Sequence, residues 1–95
     1  MSDCVNPIHL SESAIRVGVR NIVNIQRSNR DFDLYKSLMY LAYSLVGRRV
    51  SESYMFGGDR DTYHFNSAVV TLQSVAGDSL DVRSIMIDEL EKRMP

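Results

Sequence analysis

The sequence has almost no cysteine, no long apolar run and almost no net charge. Cys4 is the only cysteine among 95 residues, which excludes an internal disulfide and a cysteine-based zinc cluster. No apolar stretch approaches the roughly 20 residues of a membrane-spanning helix, and no basic start followed by an apolar segment marks a secretory signal. We therefore expect a cytoplasmic protein that is complete as given and has no membrane partner.

The net charge is only −1, but the charges are distributed unevenly along the chain. Residues 14–49 contain seven basic and two acidic residues, whereas the flanking segments are acidic. A basic middle part favours a protein with one side that faces phosphate groups. Scattered, solvated arginines are the alternative, and the placement of the arginines in the fold decides between the two.

The apolar residues recur at helical spacing, and strand-like alternation, repeats and low-complexity segments are missing. We therefore predict an all-α protein, a small helical bundle of about five helices that contains a helix-turn-helix. Residues 1–9 lack periodicity and include the turn signal Asn6-Pro7, so they are predicted to be an N-terminal tail. Residues 10–95 are predicted to form a single helical domain around one core.

The first predicted helix follows a serine cap. It starts after Ser11 or Ser13 and ends near Val23, where its apolar stripe stops. Gly18 weakens the centre of this helix and indicates close packing there. The polar residues 26–30 are predicted to form a loop.

The second predicted helix carries the widest apolar stripe in the chain. Asp31 or Asp33 caps it, and it runs to about Val46 with Gly47 as its stop. Together with the longer helix within residues 47–76, it is expected to bury one set of apolar residues: Leu38, Leu41, Leu45, Phe65, Val69 and Leu72. A last helix starts near Ser79, with an inward set of Val82, Ile85, Met86 and Leu90. Its outward set is expected to be Asp88, Glu89 and Glu91.

The stretch from 47 to 76 is predicted to be a helical corner. A short helix over 50–56 is followed by Gly57-Gly58, and a longer amphipathic helix begins with Asp61 or Thr62 as its cap. Such a corner matches a helix-turn-helix, whose second helix enters the DNA major groove. An αα-hairpin that only completes a helical core is the alternative.

The segment from Leu38 to Leu72 resembles the C-terminal DNA-binding domain of the bacterial replication initiator DnaA. The motifs that carry the resemblance are Met39-Tyr40-Leu41-Ala42-Tyr43-Ser44-Leu45, Val50-Ser51-Glu52, Phe56-Gly57-Gly58-Asp59-Arg60-Asp61 and Ala68. The family's His-Thr-Thr signature is replaced by Thr62-Tyr63-His64, and its following histidine by Ser67. The resemblance implies a helix-turn-helix, Trp-repressor-like fold in a small stand-alone protein of prokaryotic or phage origin. The ATPase module of the initiator is absent.

The expected docking surface surrounds the start of the recognition helix. Helical geometry there presents Thr62, Tyr63, His64, Asn66 and Ser67 outward, side chains able to reach phosphates or base edges. Arg60 is expected to contact the groove, with an ion pair to Asp59 or Asp61 as the alternative. Phosphate contacts are expected from Arg48 and Arg49. The resemblance adds Arg27 and Arg30, because the family carries phosphate-binding residues in that loop.

Two other site types are not supported by the sequence. Asp59, Asp61 and His64 form a D-x-D-x-x-H run, but no further ligands accompany it, so we expect no metal and no cofactor. No nucleophile elbow or Gly-rich phosphate loop is present, so we expect no enzyme activity. The predicted function is binding of double-stranded DNA. The alternative is a helical protein–protein interaction module that kept the fold and lost DNA binding.

Overall fold

In the computed structural model, residues 10–47 and 59–93 are described, and they form four helices. These are α1 (Glu12–Ser28), α2 (Leu34–Val46), α3 (Arg60–Ala76) and α4 (Val82–Arg93). No strand occurs within these two stretches, which confirms the all-α prediction for them. The predicted short helix over 50–56 and the Gly57-Gly58 turn lie outside the described residues. The count of about five helices and the helix-turn-helix therefore remain predictions.

Helix α1 begins as predicted and ends later than predicted. The Ser11 hydroxyl oxygen accepts a hydrogen bond from the Ala14 backbone N–H at 3.1 Å, which makes Ser11 the N-cap. The helix continues to Ser28, and the Asn29 N–H closes it by donating to the Ile25 carbonyl at 3.0 Å. The predicted loop over 26–30 is therefore wrong for its first three residues, because glutamine and arginine are good helix formers on an exposed face.

Helix α2 has both predicted ends. The Asp33 carboxylate accepts from the Lys36 backbone N–H at 3.1 Å, so Asp33 is the N-cap. At the other end, Gly47 adopts φ +83° and donates its N–H to the Tyr43 carbonyl at 2.8 Å. This left-handed conformation costs little only for glycine.

All four helices contribute to one apolar core, with the most extensive packing between α2 and α3 and between α1 and α4. Among the six residues predicted to be buried together, Leu38, Val69 and Leu72 are confirmed in this core. The other three are only half-buried and pack against the edge of the core: Leu41, Leu45 and Phe65. The core therefore lies where it was predicted, but fewer of the six predicted residues are fully buried than expected.

The close packing predicted at Gly18 is present. A Cβ atom added to Gly18 would lie 2.8 Å from Cδ2 of Leu41, which is closer than real Cβ contacts allow. The absence of a side chain on α1 therefore lets the Leu41 side chain on α2 lie directly against the α1 backbone.

Helix α4 buries the predicted apolar set and one residue more. Its four inward residues are all buried, as expected: Val82, Ile85, Met86 and Leu90. The helix starts at Val82 rather than near Ser79, and the Asp81 carboxylate accepts from the Ser84 N–H at 3.2 Å. The outward placement of Glu89 is wrong, because this side chain is fully buried.

Glu89 is buried within a cluster of charges that joins α4 to α1. Its Oε2 lies 3.1 Å from Nη1 of Arg16, 3.5 Å from Nη2 of Arg20 and 3.7 Å from Nζ of Lys92. Arg16 also pairs with Glu12 and Asp88. Burial acts to raise the pKa of Glu89, but the two guanidinium groups outweigh it and hold that pKa below its usual value. Glu89 is therefore buried as a carboxylate, and its charge is compensated from α1.

Candidate nucleic-acid interface

Helix α3, the predicted recognition helix, has its N-cap two or three residues before the predicted Asp61 or Thr62. Asp59 is the N-cap, and its carboxylate accepts from the Thr62 backbone N–H at 2.8 Å. This hydrogen bond is the main cause that lowers the pKa of Asp59. The prediction of Asp61 or Thr62 as the cap is wrong, because both already lie in the first helical turn. The start of α3 therefore carries two carboxylates, from Asp59 and Asp61.

Arg60 extends from this start toward α2. Its Nη2 lies 2.6 Å from Oδ2 of Asp33, the residue that caps α2. The ion pair expected as the alternative, with Asp59 or Asp61, is not observed, and Arg60 pairs with Asp33 instead. The Lys36 backbone N–H, and after it Arg60, hold the pKa of Asp33 below its usual value. The Arg60 side chain remains 61% exposed, so a further partner can still reach it.

The ion pair between Arg60 and Asp33 brings two distant parts of the sequence together. Arg30 lies three residues before Asp33, in the turn between α1 and α2, and Arg27 lies in the last turn of α1. Both arginines are exposed and have no ion pair among the described residues. We call this region the arginine edge and define it as residues 27–33 together with residues 59–62.

The arginine edge is not uniformly basic. Arg27, Arg30 and Arg60 supply three positive charges there. Four aspartates lie on the same edge: Asp31, Asp33, Asp59 and Asp61. Both segments carry positive and negative charges close together, so the local field is mixed and falls off quickly in salt.

Three predicted contact residues of α3 are accessible to a partner. Thr62 is exposed, and Tyr63 and Asn66 are half-buried. The Asn66 side-chain oxygen accepts a hydrogen bond from Nη1 of Arg83 on α4 at 3.0 Å. This contact directs the Asn66 amide group toward α4, and nothing in the sequence spacing indicated it.

The outward orientation predicted for His64 and Ser67 is wrong. His64 is 8% exposed and Ser67 5% exposed, and both face the interior between α3 and α2. The Ser67 hydroxyl shares a hydrogen bond with the Tyr43 hydroxyl at 3.1 Å, and the His64 ring packs against Tyr63 at 5.5 Å between centroids. Ser67 and His64 are polar by type but buried by position, because each lies on the side of α3 that packs against α2.

Part of the predicted DNA-binding site lies outside the described residues, whereas the predicted D-x-D-x-x-H run lies within them. Arg48 and Arg49 lie outside the described residues, as does the glycine pair of the corner. Within the described stretches, no group of three or more His, Cys, Asp or Glu side chains is arranged to hold a metal ion. The D-x-D-x-x-H run is divided, because Asp59 and Asp61 are exposed whereas His64 is buried.

Comparisons with known proteins add no relative. No family model, curated protein or solved structure matches this chain. The resemblance to the DnaA domain therefore depends on the motifs quoted above alone. Of the helices that the structure describes, none combines the length and apolar character of a membrane span.

Proposed function

We propose that this protein is a small non-enzymatic protein that binds double-stranded DNA through the arginine edge, in the manner implied by its resemblance to the DnaA C-terminal domain. The observation that carries the proposal is the ion pair between Arg60 and Asp33. It joins the start of α3 to the turn that holds Arg30, and this supports assigning the proposed groove contacts and phosphate contacts to one edge. The sequence alone did not predict this ion pair.

The two parts of the edge have different roles in the proposal. Arg60 and Thr62 at the start of α3 contact the groove, where a guanidinium and a hydroxyl read base edges. Arg27 and Arg30 neutralise flanking phosphates and fix the orientation of the duplex. His64 and Ser67 position the helix from inside instead of contacting DNA, because both side chains are buried.

The mixed charge of the edge limits the affinity. We expect about 3–5 phosphates to be neutralised, which gives a slope of about −3 to −5 in a plot of log affinity against log salt concentration. A gel-shift titration of random duplexes at several salt concentrations measures this slope. Absence of binding even at low salt contradicts the proposal.

Matched variants place the interface on the molecule. Arg30→Ala should weaken binding to all duplexes alike and reduce the salt slope by about 1, whereas Arg60→Ala should also relax sequence preference. Arg83→Ala is the control, because it removes the same charge from an exposed residue of α4 outside the edge. An equal loss in Arg83→Ala and Arg30→Ala would show that binding follows net charge and does not use this edge.

The second candidate function is a helical protein–protein interaction module. The four aspartates of the arginine edge favour it, because they outnumber its three arginines and weaken attraction to a polyanion. The same gel-shift titration bears on both candidates. A protein that binds no duplex at low salt, but is folded by circular dichroism, contradicts DNA binding and leaves the interaction module as the remaining candidate.

A further inference from the structure

A groove of about 520 Å³ lies between the first half of α3 and α4. Its apolar lining comes from three helices: Tyr35 on α2, Phe65 on α3, and Ile87 and Leu90 on α4. The sequence analysis assigned no role to Tyr35 or Ile87. The groove borders the arginine edge, because Asp59, Asp61 and Thr62 belong to both, but its apolar residues are not part of the DNA-binding proposal.

The apolar floor of the groove is ordered and partly open to solvent. The Phe65 ring meets the Tyr35 ring edge to face, with centroids 6.4 Å apart. Ile87 is 38% exposed, which makes it one of the few large apolar side chains on the described surface. Burial of an aliphatic or aromatic side chain against Phe65 and Ile87 would remove this apolar area from water.

The rim of the groove is acidic. Among the described residues, Asp59, Asp61 and Glu91 line it, and Arg83 is the one cation there. Arg83 is already engaged, because its guanidinium lies over the Phe65 ring at 5.7 Å and donates to Asn66. Asp61 and Glu91 are exposed and have no ion pair within the described stretches. Two carboxylates are thus free to receive positive charge on either side of an apolar floor.

We propose that this groove binds a short cationic amphipathic segment of a protein partner. One apolar side chain of the segment packs on Phe65 and Ile87, and lysine or arginine side chains pair with Asp61 and Glu91. Charge complementarity selects this occupant, because the acidic rim repels the phosphates of a nucleic acid and the free carboxylates of an acidic peptide. The inference goes beyond DNA binding and does not depend on it.

The test uses a fluorescein-labelled synthetic peptide with lysine, leucine and phenylalanine at amphipathic helical spacing. A counterpart carries glutamate in place of every lysine. Fluorescence anisotropy is measured with the full chain at low and moderate salt. We expect saturable binding of the cationic peptide and at least tenfold weaker binding of the acidic counterpart. Equal binding of the two peptides would overturn the assigned partner chemistry.

Two variants and a matched control locate the site. Ile87→Ser and Glu91→Lys should each weaken binding of the cationic peptide about fivefold to tenfold. Ile87→Ser removes an apolar side chain from the floor of the groove, and Glu91→Lys replaces a negative charge on its rim by a positive one. Ile25→Ser is the control, because Ile25 is 47% exposed on α1, outside the groove, and its loss should leave binding unchanged. Circular dichroism verifies that all three variants fold. Unchanged binding in Ile87→Ser, or an equal loss in Ile25→Ser, would overturn the proposed site.

A variant of the arginine edge separates this site from DNA binding. Arg30→Ala, at an exposed position outside the groove, should weaken DNA binding without weakening binding of the cationic peptide, because the groove and the edge share only Asp59, Asp61 and Thr62. An equal loss of DNA binding and peptide binding in Arg30→Ala would show that one surface serves both ligands and would overturn the separate groove. Peptide binding without any DNA binding would contradict the proposed function alone.

Discussion

The two most extensive helix interfaces of this molecule are built from different chemistry. Between α2 and α3, apolar side chains meet around Leu38 and Leu72, with a neutral hydrogen bond between Tyr43 and Ser67 inside and the exposed ion pair of Asp33 and Arg60 at the edge. Between α1 and α4, apolar packing is joined by a buried carboxylate, Glu89, and the basic side chains around it. Apolar packing tolerates changes of pH, whereas a buried ion cluster ties stability to the charge of each member.

The largest expected effect comes from the apolar interface. Leu38→Ala should lower the free energy of unfolding by about 2–5 kcal/mol, because Leu38 is fully buried and its loss leaves a cavity. Urea denaturation followed by circular dichroism measures the change. Leu45→Ala on the same helix is the control and should cost less, since Leu45 is only half-buried. Equal losses at the two positions would contradict the assigned core.

The ion cluster should give the next largest effect. Arg16→Met removes the cation nearest to Glu89 and should destabilise by about 2 kcal/mol, below the roughly 3–5 kcal/mol for an isolated buried pair. The effect is smaller here because Arg20 and Lys92 still lie near the carboxylate. Arg27→Met is the control, an exposed arginine without an ion pair in the described stretches, and should change stability by less than about 0.5 kcal/mol.

The same variant makes the comparison sensitive to pH. The pKa values of Glu89 and Asp88 are lowered in the folded protein, so the stability that they contribute is present above their ordinary values near 4. This stability is lost as the pH falls through the lowered pKa values, because the two carboxylates are then protonated in the folded and in the unfolded protein. The stability difference between wild type and Arg16→Met should therefore shrink below about pH 4. A difference that stays constant down to pH 2 would show that the charges contribute nothing.

The smallest expected effect belongs to the neutral hydrogen bond. Ser67→Ala should cost about 0.5–1.5 kcal/mol, since it removes one partner of the Tyr43 hydroxyl in a buried site. A double-mutant cycle with Tyr43→Phe isolates the pair, because the remaining contacts of Tyr43 cancel in it. The free energies come from urea denaturation at neutral pH and again near pH 3, where this coupling should not change. A coupling energy of zero would contradict the hydrogen bond.

Local signals predicted the helix ends well because caps act over three or four residues. Ser11, Asp33 and Gly47 each satisfy backbone groups next to them in sequence, so no tertiary information was needed. The cap of α3 was misplaced by two or three residues, because several capping residues occur in succession there. Its cap, Asp59, directly follows Gly58 in the sequence.

The errors in burial have a common cause. Glu89 follows Val82 and Met86 at seven and three residues, so it lies on the buried stripe of α4. Ser67 precedes Thr71 by four residues and follows His64 by three, and all three are buried. These spacings agree with burial, but the polar type of the residues, and for His64 and Ser67 the expected recognition helix, favoured solvent. For Glu89 and Ser67 the sequence does not show the partner across the interface that compensates the buried polar group.

The site was predictable only in part for the same reason. The sequence indicated that the start of α3 and the arginines at the end of α1 matter, and the structure brings Arg60 next to that region. Asp33 as the partner of Arg60, 27 residues away, was not predictable from local spacing. Neither was the groove, because its lining comes from three helices.

The ion cluster around Glu89 also determines when during synthesis and folding its contacts can form. Arg16 and Glu89 are 73 residues apart, so this contact closes nearly the whole chain into one loop. Each doubling of loop length adds only about 0.6 kcal/mol of entropy cost, but contacts of such separation form slowly. On a ribosome, α1 lacks its α4 contacts until α4 has been synthesised. The first helix to be made is thus completed by the last.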